Sequence, residues 1–228
     1  MPKNSIRNDR QLIESLIYPK SRVLDIGCGE GGLIKQLETS INSDTRGIEI
    51  DPELTRKAIA EGLNVVQGNA ESDLSQYSNQ SFDYVILSQT LQAMLKPKDV
   101  LNELLRIGAK AIVSFPNFGH WKIRFQLLFS GRSPITEDLP YSWYETPNFH
   151  FFTIKDFQDL CEKSNIIIEK SIGLTSKGKQ FDLNQKVLSF NLITSEAIFL
   201  LSYKKFSPIK IKSGQKTFAN RSFTATQR

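Results

Sequence analysis

The sequence predicts one α/β domain: a mostly parallel seven-stranded sheet whose last strand is antiparallel, with helices on both faces. Three observations carry this. Short apolar or β-branched runs alternate with helical runs in the first half of the chain, which requires parallel crossovers. The strand runs are apolar almost throughout, as strands covered on both faces are. At 228 residues the chain can bury one sizeable core, and a second would have to be small.

In order, the strand runs are "RVLDIG", "TRGIEI", "NVVQG", "FDYVILS", "KAIVSFP", "IIIEKSI" and "EAIFLLSY". The last is placed antiparallel, at or near the sheet edge. "EGGLIKQLET", "PELTRKAIAEG" and "VLNELLRIG" are helical runs between the early strands. "TIKDFQDLCEKSN" opens with a capping box, Thr153 with Asp156 three residues on, and sets Phe157, Leu160 and Cys161 on one face. Between Asn117 and Phe152 lies a long aromatic connection. It holds a helical piece, "HWKIRFQLLFSG", whose stripe of Trp121, Phe125, Leu128 and Phe129 needs something to bury it. Connections in compact domains are usually about 4–6 residues, so one this long is either functional or hides elements of its own.

Charge divides the chain. Seven of the 29 Lys and Arg residues follow Tyr203 and none of the 24 acids does, leaving 22 bases against 24 acids before it, a net −2. The body is therefore near neutral, which argues against a built-in nucleic-acid groove. Residues 1–205 are read as the domain, with 117–152 as an aromatic lid or docking insertion; 206–228 are read as a basic, disordered, solubilising tail. No long uncharged apolar run could span a bilayer, and "MPKNSIRNDR" carries no signal-peptide pattern. Cys28 and Cys161 stand in no metal-binding spacing; they read as reduced thiols of a cytoplasmic protein, and no metal is expected.

"VLDIGCGEGGL", Val23 to Leu33, runs from a strand through a glycine turn into a helix. Gly27 and Gly29 admit unusual backbone angles and close approach of a ligand; Gly31 lets the helix start lie near the strand. The spacing G-x-G-x-G differs from the dinucleotide pattern, and Asp25 and Glu30 give the turn negative charge. Acids there repel a diphosphate and suit the sulfonium and ammonium of S-adenosylmethionine. Glu49, about 20 residues beyond the turn, is placed to accept from ribose hydroxyls. Asn69 and Ala70, after the third strand, border an adenine; Cys28 and Ser88 complete the expected cofactor set. The competing reading is a glycine turn needed only for packing, with Cys28 merely filling space.

These residues resemble the class I S-adenosylmethionine-dependent methyltransferases, which implies a Rossmann-like fold and S-adenosylmethionine or S-adenosylhomocysteine as cofactor. The chain lacks the (Asn/Asp)-Pro-Pro-(aromatic) run of amino methylases and the Pro-Cys nucleophile of cytosine methylases. "FDYVILSQTLQAM", "SFPNFGHWKIRFQLLFSGRSPIT", "LPYSWYETPNFHFFTIKDF" and "NLITSEAIFLL" resemble the family of methionine biosynthesis protein MetW. That resemblance implies a role as partner or activator of homoserine O-acyltransferase of the MetX type. The alternative is an active small-molecule methyltransferase.

Catalytic residues stay unassigned at this point. Gln89 and Gln92 follow the fourth strand but cannot act as general bases. His120 and His150, in the parallel phrases "PNFGH" and "PNFH", are either acid/base groups over the cofactor or hydrogen-bonded ties; the second reading is preferred. His120, Trp121, Trp143, Tyr144 and Phe149 form the expected docking or lid set, since Trp and Tyr are enriched at interface hot spots.

Overall fold

The computed structural model describes residues 8–136, 139–147, 150–183 and 190–203. The basic tail and Phe149 lie outside the described residues. The elements run α1 (Asn8–Ser15), β1 (Arg22–Ile26), α2 (Gly32–Ile41), β2 (Asp44–Glu49), α3 (Pro52–Ala60), β3 (Val65–Gln67), α4 (Ala70–Asp73) and β4 (Phe82–Ser88). They continue with α5 (Pro97–Ile107), β5 (Gly108–Pro116), α6 (Trp121–Ser130), α7 (Ile154–Lys163), β6 (Ile166–Leu174), β7 (Gln180–Asp182), α8 (Phe190–Ile193) and β8 (Glu196–Tyr203).

One sheet has the order β3-β2-β1-β4-β5-β8-β6-β7. β1 pairs in parallel with β2 and β4, β2 with β3, and β4 with β5. β8 runs antiparallel, as expected of the last strand, but it is inserted between β5 and β6 and paired on both sides instead of lying at the sheet edge. Among the described residues the sheet has eight strands instead of seven. The addition, β7, is three residues, "QFD", hairpinned onto the end of β6, and it has no apolar run by which a strand is recognised.

Period-two alternation divides the central strands between two cores. Leu24, Ile26, Val85, Leu87, Val113 and Phe199 face the side covered by α5 and α7. Val23, Tyr84, Ile86, Ile112 and Ile198 face α1 and α2. Ring contacts knit the first core: the Phe115 ring lies 4.6 Å from Phe152 and 4.8 Å from Phe157, both tilted, and stacks on Phe199 at 5.7 Å. Helix α1 went unassigned from sequence, although Leu12, Ile13, Leu16 and Ile17 repeat at helical spacing and are buried. The capping box at Thr153 and Asp156 forms as expected.

The 117–152 excursion is closed at its base. Phe118 donates its amide to the Phe152 carbonyl at 3.3 Å, and Asn117 Oδ1 accepts the amide of Ile154 at 3.3 Å. Within it, α6 buries only Ile123. Trp121, Phe125, Leu128 and Phe129 all remain exposed, Phe129 by 74%, so nothing in the described fold covers that stripe.

Candidate functional site

β1 lies between β2 and β4, so the chain leaves it at the point where the strand order reverses, and the crevice beyond the carboxyl ends of such strands is where ligands bind in open α/β sheets. There the loop after β1 is pinned to β2: the amides of Gly27 and Cys28 both donate to the Ile48 carbonyl, at 2.8 and 3.2 Å. Glu49, buried at the end of β2, accepts the Gly29 amide on Oε2 at 2.7 Å and the Asp51 amide on Oε1 at 3.0 Å.

Gly29 and Gly31 separate ligand approach from packing. Both have left-handed backbone, φ 59° and 77°. A Cβ on Gly31 would lie 2.3 Å from Leu63 Cδ1, so packing alone requires glycine there. A Cβ on Gly29 would meet nothing within 4 Å; the loop is bare toward open space at that point. The space is a cleft of about 1240 Å³. Gly27, Cys28, Gly29, Gly31, Glu49, Asn69, Ala70 and Ser88 all line it. An adenosyl ligand fits these residues: a loop bare of side chain at Gly29, beside a buried carboxylate with lone pairs to spare beyond its two backbone donors.

Other expected features are placed differently. Asp25 is buried at 2% exposure and does not line the cleft; by the strand's alternation it shares the sheet face of Val23. Glu30 is exposed and bonded to Lys57 at 2.7 Å. The loop's negative charge is therefore partly neutralised, and Glu49 is the buried acid of the cleft. Asn69 uses its side chain to cap α4, accepting from the Glu71 amide at 2.9 Å, while its own amide donates to Asp73 at 2.8 Å. Burial pushes the Cys28 thiol up to about 12, with the Asp25 and Glu49 carboxylates adding to the effect, so it is a filler and no nucleophile.

Neither histidine lines the cleft. His120 is buried as the N-cap of α6, its Nδ1 accepting the Lys122 amide at 3.4 Å. His150 borders a separate cavity of about 240 Å³ with Asp156 and Phe157, and its amide donates to Gln92 at 3.0 Å. Gln89 does line the cleft, but its amide group donates to Glu196 at 2.5 Å and its backbone sits at φ 53°. Trp121, Trp143 and Tyr144 lie on the outer face of the excursion, Trp143 exposed by 72% and Tyr144 by 70%. From the excursion, Pro147 alone reaches the cleft wall among the described residues.

Sequence reasoning missed Arg10, Lys35, Lys57 and Glu61 on the cleft wall. It also missed Asn117, buried at 1%, whose Nδ2 donates to the carbonyls of Asn191 and Thr194, both at 2.8 Å, while Oδ1 accepts from Gly119 at 2.9 Å and from Ile154. Its only signal was a polar residue directly after a buried strand.

Comparison with known proteins bears on family and fold. The family model for "Methionine biosynthesis protein MetW" matches residues 7–201. The bifunctional methionine biosynthesis protein MetXA/MetW of Rhodopirellula baltica is 34% identical over 173 residues, 72% of this chain and 28% of that protein, so the chain spans little more than a quarter of that relative. The ubiquinone biosynthesis O-methyltransferase of Cereibacter sphaeroides is 24% identical over 196 residues, 82% of this chain and 77% of that one. Among solved structures, a Thermotoga maritima S-adenosylmethionine-dependent methyltransferase, a possible histamine N-methyltransferase, superposes with TM-score 0.64 at 19% identity, covering 86% and 88% of the two chains.

Proposed function

The chain belongs to the MetW family of methionine biosynthesis proteins, and from that premise we propose that it is an accessory protein that binds and activates a homoserine O-acyltransferase of the MetX type. We further propose that its cleft takes S-adenosylmethionine or S-adenosylhomocysteine through Gly27, Gly29, Gly31 and Glu49, with Asn69, Ala70 and Ser88 around the nucleoside and Asp25 and Cys28 supporting the loop from within. The fold is that of the class I methyltransferases. No helix among the described residues is long and apolar enough to cross a membrane; buried free thiols at Cys28 and Cys161 suit the cytoplasm we assign it.

The observation that carries the partner reading is the uncovered aromatic face of the excursion. Trp121, Phe125, Leu128 and Phe129 on α6 stand with Tyr141, Trp143 and Tyr144, all exposed. Contiguous apolar surface of this kind marks interaction sites. An apolar cavity of about 510 Å³, with Ile123, Leu127, Tyr141, Trp143 and Phe151 in its walls, gives a partner's side chain somewhere to insert. The Rhodopirellula relative carries the MetXA and MetW names on one polypeptide, which supports contact between the two functions. His120 then serves the surface by holding the start of α6, and Phe149 belongs to the same segment. Among the described residues no acid or thiol of the cleft is set up as a base: Glu30 and Glu61 are ion-paired, Glu49 is bonded to amides, and the Cys28 thiol is raised.

The second reading, a working small-molecule methyltransferase, draws on Pro147 at the cleft wall, which lets the excursion close over an acceptor. Analytical ultracentrifugation of the chain with purified acyltransferase, beside an assay for conversion of S-adenosylmethionine to S-adenosylhomocysteine, decides between them. The accessory reading expects a complex without turnover; turnover without a complex would reverse the choice.

A further inference from the structure

We propose that α6 is a ridge that the partner acyltransferase straddles, seating an acid-bearing rim in a trench on one flank and an apolar rim in a trench on the other; this rests on the accessory reading above. Helical spacing sorts α6 into a crest and two flanks. Trp121, Phe125, Leu128 and Phe129, at i, i+4, i+7 and i+8, form the crest, and all four are exposed. Lys122 and Gln126 fall on one flank, Ile123 and Leu127 on the other. Of the ten residues of α6 only Ile123 is buried. A helix apolar around most of its circumference is normally enclosed, and the described fold covers this one at Ile123 alone.

Both flanks border a concavity. One of about 480 Å³ lies on the first, walled by Lys122, Gln126 and Ile135 with the crest rings Trp121 and Phe125. One of about 510 Å³ lies on the second, with Ile123, Leu127, Trp143 and Phe151 in its walls. The two differ in charge. Lys122 is exposed at the first and makes no ion pair among the described residues, whereas no charged residue among them walls the second. A rim that fills the first trench therefore carries an Asp or Glu to meet the ammonium, and the rim that fills the second is apolar. A flat surface reaches the crest and neither trench. A lipid surface takes a helix with one apolar face and one strongly polar face. Here Ile123 and Leu127 carry the apolar surface past the crest onto a flank, which fits a grooved protein.

Calorimetric titration of the chain with purified acyltransferase of the MetX type, using variants of the two flanks, tests the ridge. Leu127→Ala and Lys122→Glu change exposed helical positions, so their urea midpoints should stay at the wild-type value. Each should weaken the complex by about tenfold or more. Lys122→Gln should weaken it less than Lys122→Glu and leave it less sensitive to added salt than the wild-type complex. Amide hydrogen exchange of the wild-type complex gives a route free of variants: protection is expected along α6 and around both Ile135 and Trp143, and its absence at either wall overturns the ridge. So does wild-type affinity in Leu127→Ala or in Lys122→Glu, with the accessory reading left standing. Self-association of the chain alone that depends on these flanks, or binding to vesicles of phosphatidylcholine and phosphatidylglycerol, would give α6 a different occupant and overturn it as well. Failure of the wild-type chain to bind the acyltransferase overturns the accessory reading and the ridge with it.

Discussion

Glu49 and Gly29, twenty residues apart, are joined by a 2.7 Å hydrogen bond from the Gly29 amide to the Glu49 carboxylate. The same carboxylate takes the Asp51 amide with its other oxygen. An acid read from sequence as a ribose acceptor is thus also the post that fixes the glycine loop to the second strand. On the proposed cofactor reading, loop shape and ligand binding depend on one side chain.

Replacing Glu49 by Gln separates the two roles from simple bulk. Glutamine keeps one acceptor oxygen and turns an amide NH₂ toward a backbone donor. The variant should lose about 1–3 kcal/mol of stability, read from the urea midpoint, and should bind S-adenosylhomocysteine more weakly. Unchanged stability would mean that the loop does not depend on the carboxylate.

Asn117 is the corresponding post for the excursion. Its side chain serves two carbonyls and two amides from three segments, and it is buried. Asn117→Ala leaves those groups without their partner, so a loss of about 2–5 kcal/mol is expected by chemical denaturation. Acyltransferase binding should fall with it, because the base of α6 is no longer held. A variant of wild-type stability would contradict the bonding described.

Both thiols respond to pH in a direction that can be worked out. Burial raises Cys28 and Cys161 from 9.0 to about 12. Between those values the unfolded chain releases the two protons and the folded chain keeps them, so this contribution to stability is complete below pH 9 and is lost as pH rises toward 12. The wild-type protein should therefore lose stability above pH 9 more steeply than a Cys28→Ala, Cys161→Ala double variant. At pH 8 iodoacetamide should label the native thiols far more slowly than the denatured ones. Parallel pH curves for the two proteins would contradict the raised thiols.

The sheet was legible because its strands are buried on both faces and so spell out continuous apolar runs; the capping box at Thr153 was legible because it is local chemistry. β7 was not, since three residues paired on an edge have no pattern of their own. α1 was overlooked although its apolar spacing is helical. The loop residues of the cleft were found from glycine spacing. Arg10 and Asn117 were not, because each reaches its place only when distant segments meet: α1 against Gly32, and β5 against residues 191–194 and α7. Asp25 shows the converse, an acid adjacent to the loop in sequence that is buried and does not line the cleft.

Trp143 and Phe129 test whether the exposed rings are a docking face or incidental surface. Each is exposed by more than 70%, so Trp143→Ala and Phe129→Ala should change stability by less than about 0.5 kcal/mol. Affinity for the acyltransferase should drop by about tenfold or more if these rings are anchors, measured by calorimetry against the purified partner. Wild-type affinity in both variants would move the interface elsewhere.

The central claim is tested most directly by homoserine O-acyltransferase activity measured with and without this protein, at several concentrations of S-adenosylmethionine. The accessory reading predicts a rise in acyltransferase rate on addition, lost in Trp143→Ala. No rise, with S-adenosylhomocysteine formed from an added acceptor and no complex between the two proteins, would contradict it.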